Sequence, residues 1–69
     1  MIRPANSTEL AQELHQWHDG QTDPIYQVGS LWAQDEEAPA HLIKDAIHNL
    51  ESEENSEAHE LAEQLNKLI

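Results

Sequence analysis

Apolar residues recur along this chain at helical spacing and nowhere at strand spacing. Leu10, Leu14 and Trp17 stand at i, i+4 and i+7, one stripe of an amphipathic helix. Asn6 or Ser7 suits its N-cap, and Glu9 lies near the positive end of its dipole. Gly20 sits where a left-handed residue would close it. Asp23-Pro24 then opens a second helix. The aspartate caps, and proline at the first helical position gives up an N–H that had no partner anyway. Ile25, Val28, Leu31 and Trp32 form its stripe, flanked by Tyr26, Gly29, Ser30 and Ala33. Glycine lowers helix propensity by about 1 kcal/mol relative to alanine. Gly29 therefore points to close approach by a neighbouring helix or side chain.

Pro39 suits the start of a third helix, with Asp35, Glu36 and Glu37 at its positive end. Its buried face is Ile43, Ala46, Ile47 and Leu50, with Leu42 beside it. Residues 51–57 contain nothing apolar, and a fourth helix from Asn55 or Ser56 carries Leu61, Leu65 and Leu68. One helix over 39–68 would also stay in phase, because Leu50 and Leu61 are eleven residues apart. It would place Glu54 and Glu57 near its seam. A short turn giving an antiparallel hairpin avoids that and is the favoured arrangement. The pattern predicts an all-α fold over residues 1–69, a single small bundle of three to four helices with a C-terminal helical hairpin.

Size sharpens this picture. At 69 residues, one core supplies only about 3–5 kcal/mol of stability. The chain has no cysteine, so neither a disulfide framework nor a Cys-based zinc site is available. Well-packed helices or self-association, as a homodimer through leftover apolar surface, would serve instead. Met1-Ile2-Arg3-Pro4 leads into polar residues, so no signal peptide is expected. No apolar run is long enough for a membrane span, which makes the cytoplasm the default location.

Charge changes the picture most. Fourteen acidic residues against three basic ones give a formal charge of −11, where solubility asks for a magnitude of roughly 2–8. Residues 1–34 balance to −3 and residues 35–69 to −8. Glu51, Glu53, Glu54, Glu57, Glu60 and Glu63 follow one another without a single Lys or Arg between them. Such a surface repels nucleic acid and anionic membrane, and attracts basic proteins. On the fourth helix Glu53 or Glu57, Glu60 and Glu63 stand three or four residues apart. That is one charge per roughly 5 Å of axis, against about 3.4 Å for one DNA strand. Asp35, Glu36 and Glu37, or a second subunit, would be needed to approach a duplex. Two readings fit: a DNA-mimicking, groove-blocking surface, or an ordinary solvated helix face.

Other chemistry is thinner. His15 and His18 stand beside Asp19, and His41, Asp45 and His48 share one helix face. Each set is an incomplete zinc site, and ordinary polar-face histidine is the simpler reading. No metal or cofactor is assigned. Trp17 and Trp32 end apolar stripes, so each is a core residue or a partner's anchor. Direct nucleic-acid binding through these rings lacks the basic groove it needs. Ser7, Ser30, Ser52 and Ser56 lack nucleophile context, and so small a chain has hardly room for a cleft that would tune paired carboxylates. The expectation is a non-catalytic protein.

The stretch Trp17-His18-Asp19-Gly20-Gln21, continuing to Tyr26 and Ser30, resembles a pattern of short uncharacterised bacterial and phage proteins. In size and acidity the chain is also similar to small inhibitors encoded by phages and mobile elements, including anti-restriction and anti-CRISPR proteins. Many of those occupy a nucleic-acid groove with carboxylates. This likeness rests on bulk properties and gives no residue a role. The charge distribution itself leads to the first expectation, an inhibitor or regulator that covers a basic, nucleic-acid-facing protein surface, with Asp35–Glu37 and the six glutamates of 51–63 supplying the charge. The alternative is a helical adaptor that pairs by apolar faces, its acidity serving solubility.

Overall fold

The computed structural model describes all 69 residues. It contains four helices: α1 (Ser7–Leu14), α2 (Pro24–Ala33), α3 (Ala40–Glu51) and α4 (Ser56–Asn66). The chain is all-α. Each helix packs against its successor, and all four contribute to one core in which Leu14, Val28, Trp32, Ile43, Leu50 and Leu65 are wholly buried.

Local chemistry sets most boundaries. Asp23 accepts from the Ile25 N–H at 2.8 Å, with Pro24 as the first residue of α2. Asn55 does the same for α4 through the Glu57 N–H at 2.8 Å. Residues 52–55 break α3 from α4, and the two helices pack as a hairpin. The Ser52 hydroxyl donates to the Asn49 carbonyl at 2.6 Å, satisfying one of the last acceptors of α3.

Several positions differ from expectation; Leu68, read as part of the α4 stripe, lies beyond the end of that helix at Asn66. Helix α1 ends at Leu14, well before Gly20. Its last turn tightens into bonds from Gln16 N–H to Glu13 O and from Trp17 N–H to Leu14 O, the three-residue spacing that closes a helix. Trp17 thus belongs to the α1–α2 connection, and Gly20, with φ +137°, serves a turn within it. Pro39, expected as the first residue of α3, stands just outside it at the N-cap position, where it makes no side-chain capping bond. No acidic residue lies in the first turn of α3, so Asp35, Glu36 and Glu37 stand outside the range over which the dipole acts. Asp35 adopts φ 59°, a left-handed conformation that aspartate tolerates better than most residues, and its carboxylate pairs with Arg3 at 3.5 Å.

The N-terminal arm has no helical signal, yet it is fixed. Ile2 and Ala38 exchange two backbone hydrogen bonds of 2.8 Å each, an isolated antiparallel bridge. The indole Nε1 of Trp32 also donates to the Ile2 carbonyl at 3.0 Å. One buried side chain thereby ties α2, the arm and the α2–α3 link together.

Gly29 is buried where α2 crosses His15. A Cβ there would lie 2.9 Å from both Cδ2 and Nε2 of the His15 ring and 3.4 Å from the Ala11 carbonyl oxygen. The ring is hemmed by Tyr26 and His18, at centroid distances of 5.4 and 6.0 Å. Gly29→Ala gains about 1 kcal/mol of propensity but overpacks this corner, for a net loss of about 1 kcal/mol. In a His15→Ala background the same change should instead stabilise. Urea unfolding of the two single variants and the double variant measures the coupling; a stabilising Gly29→Ala in the parent would mean that the ring swings aside freely.

Candidate protein-binding surface

The carboxylates are almost entirely uncompensated. Arg3–Asp35 is the one salt bridge in the molecule, which leaves thirteen of fourteen acidic side chains without a cation. Asp23 is used internally, accepting from the Asp19 and Ile25 N–H groups and from the Asn49 amide. Glu53 is half-buried, and the remaining acids are exposed.

The helical hairpin distributes them. Glu51 ends α3, Glu53 and Glu54 occupy the turn, and Glu57, Glu60 and Glu63 ride on α4. Ala58, Leu61, Ala62 and Leu65 form the buried seam of α4, and the glutamates fall on its two shoulders. Glu57, Glu60 and Gln64 meet Glu13, Gln16 and Trp17 across a groove of about 400 Å³, with Leu61 completing its lining. Glu63 lies on the other shoulder. With Glu51, His59, Ala62 and Asn66 it lines a second depression of about 330 Å³. The spacing read as one stripe is therefore a ridge of negative charge with a hollow on each side.

Asp35, Glu36 and Glu37 precede α3, whereas Glu51 ends it and Glu53 and Glu54 follow. The twelve residues of α3 hold the two groups about 18 Å apart along its axis. They are separate patches, not one cluster. The molecule's longest extent is 29 Å, the length of about eight nucleotide steps of a DNA strand.

The histidines do different work. His15, His18 and Tyr26 pack as an aromatic cluster, with His18 and Tyr26 edge-on at 4.9 Å. The His18 Nδ1 accepts from the Gly20 N–H at 3.1 Å, so that nitrogen is committed to shaping the loop. His41, Asp45 and His48 are exposed on α3. No group of three or more His, Asp or Glu side chains stands where it could hold a metal ion. His59 Nε2 lies 2.6 Å from the Glu53 carbonyl, closing the turn before α4.

The tryptophans part company. Trp32 is wholly buried, whereas Trp17 is half-buried at the groove between the α1–α2 connection and α4. Glu13, Gln16 and Gln64 join that site without any sequence signal, because nothing in local spacing says that the end of α1 faces α4. None of the three basic residues lines either acidic hollow. No helix is long and apolar enough to cross a membrane. Compared with protein-family models, with curated proteins and with solved structures, the chain matches none.

Proposed function

We propose that this protein is a non-catalytic inhibitor or regulator that covers a basic, normally nucleic-acid-facing surface of a cytoplasmic protein. The observation that carries the reading is the set of thirteen carboxylates without an internal cation. Folding gains nothing from such self-repulsion, whereas a basic partner would neutralise it. Glu51, Glu53, Glu54, Glu57, Glu60 and Glu63 form the principal surface, with Asp35, Glu36 and Glu37 as a separate second contact. Rim carboxylates of this kind chiefly accelerate encounter, and a desolvated anchor sets residence time.

A helical adaptor, including a homodimer, is the second reading. It is supported by a shallow hollow where Tyr26, Leu31 and Leu42 lie together on α2 and α3. Salt separates the two. A charge-matched complex should weaken at least about tenfold between low and moderate salt, whereas apolar pairing should hardly change. Capture from a host lysate at both salts, with partners identified by mass, makes the comparison. A salt-released nucleic-acid-binding protein, displaced by added DNA and weakened by Glu57→Gln, Glu60→Gln and Glu63→Gln together, is the expected result. Recovery only of a salt-resistant partner without a basic groove, or only of the protein itself, would overturn it.

A further inference from the structure

The geometry points to the groove between the α1–α2 connection and α4 as a slot for one arginine side chain of a basic protein partner. This rests on the reading that the partner is basic, and adds which feature of it is gripped and where. Glu13 comes from α1 and Glu57 and Glu60 from α4, so carboxylates face the groove from two independent elements. No cation of the chain supplies their counter-charge: Arg3 is paired with Asp35, and neither Lys44 nor Lys67 lines the groove.

Trp17 makes this hollow unlike its neighbour. A partly exposed indole beside carboxylates attracts a cation through the ring quadrupole, and a planar guanidinium stacks on such a ring while its N–H groups reach outward. Gln16 and Gln64 add amide oxygens to the same lining. Five donors on one fork match three carboxylates and two amides better than the three donors of an ammonium. The volume, about 400 Å³, is at the small end of ligand sites and is more than enough to admit one arginine side chain. The depression beside Glu51 and Glu63 has no tryptophan or tyrosine, and its His59 is engaged with the Glu53 carbonyl. A nucleic-acid phosphate is excluded from both by charge.

The test uses the full chain, labelled with nitrogen-15, and capped tri-arginine and tri-lysine peptides at about 0.15 M salt, where distant charges are screened. The two indole N–H resonances report separately on Trp17 and Trp32. Tri-arginine should shift the Trp17 signal, leave that of Trp32 in place, and bind at least about threefold more tightly than tri-lysine. Glu57→Gln with Glu60→Gln, both exposed, should weaken tri-arginine about tenfold, and Glu51→Gln with Glu63→Gln less than about twofold. Trp17→Ala should weaken it about tenfold. Trp17 also packs on the core, so Trp17→Phe, which keeps a ring, serves as the second variant and should fall between parent and alanine. An unmoved Trp17 signal, equal affinity for the two peptides, or equal losses from the two glutamate pairs would overturn the slot. If that happens while lysate capture still yields a salt-released basic partner, the slot fails and the broader reading stands. If tri-arginine binds at Trp17 but no nucleic-acid-binding protein is captured, the slot stands and the broader reading fails.

Discussion

Trp32→Ala should leave the chain without a cooperative fold. The side chain is wholly buried, and truncating a buried tryptophan costs about 3–5 kcal/mol in transfer and cavity terms. A domain of this size commands only about that much in total. The indole also donates to the Ile2 carbonyl, which already accepts from Ala38 N–H. Its loss therefore loosens the arm as well as the core. Trp32→Phe keeps most of the packing and removes the donor, and should cost about 1–3 kcal/mol. Circular dichroism during urea unfolding distinguishes them: no sigmoidal transition for alanine, an earlier one for phenylalanine. An alanine variant that unfolds cooperatively within about 1 kcal/mol of the parent would refute the central position given to this residue.

Asp23→Ala is the second large effect. One carboxylate accepts from the Ile25 N–H at 2.8 Å, the Asp19 N–H at 3.0 Å and the Asn49 amide at 3.2 Å. It thus caps α2, folds the α1–α2 connection and reaches across to α3. Loss of the cap alone costs about 1 kcal/mol. The half-buried Asn49 amide would also lose its acceptor, bringing the expected total to about 2–3 kcal/mol. Asp23→Asn retains one oxygen for Ile25 but presents an amide on its other arm, and should recover about half of that loss. A midpoint for the alanine variant within about 0.5 kcal/mol of the parent would mean that the three bonds are replaced by water without penalty.

What was legible in the chain divides by the range of the interaction. Asp23-Pro24 and Asn55 carry their caps within two residues, so the starts of α2 and α4 were readable. The seam Ile43, Ala46, Ile47 and Leu50 is likewise a local period, and all four are buried. Gly29 signalled a close approach but not its cause, because His15 is brought there by packing of α1 on α2. Trp17 continued the α1 stripe on paper, although the helix had already closed behind Leu14. Ile2 and Ala38 had no pattern at all, since a bridge of one residue on each side has no period to detect. The same limit applied to the groove. Glu57 and Glu60 were visible as a charged run, whereas Glu13 and Trp17 join them only through the tertiary fold.

The bridge between Ile2 and Ala38 has a consequence for the order in which the molecule is made. Helix packing pairs sequence neighbours, so each interface needs only a short loop to close and can form early. The arm is different: it must close a loop to Ala38, and loop-closure entropy grows with the length enclosed. On the ribosome Ile2 emerges before either of its partners, Trp32 and Ala38, exists outside the tunnel. The arm can therefore seat only once α2 and the link to α3 have been made, and it docks on helices that have already had the chance to meet, before α4 has joined them.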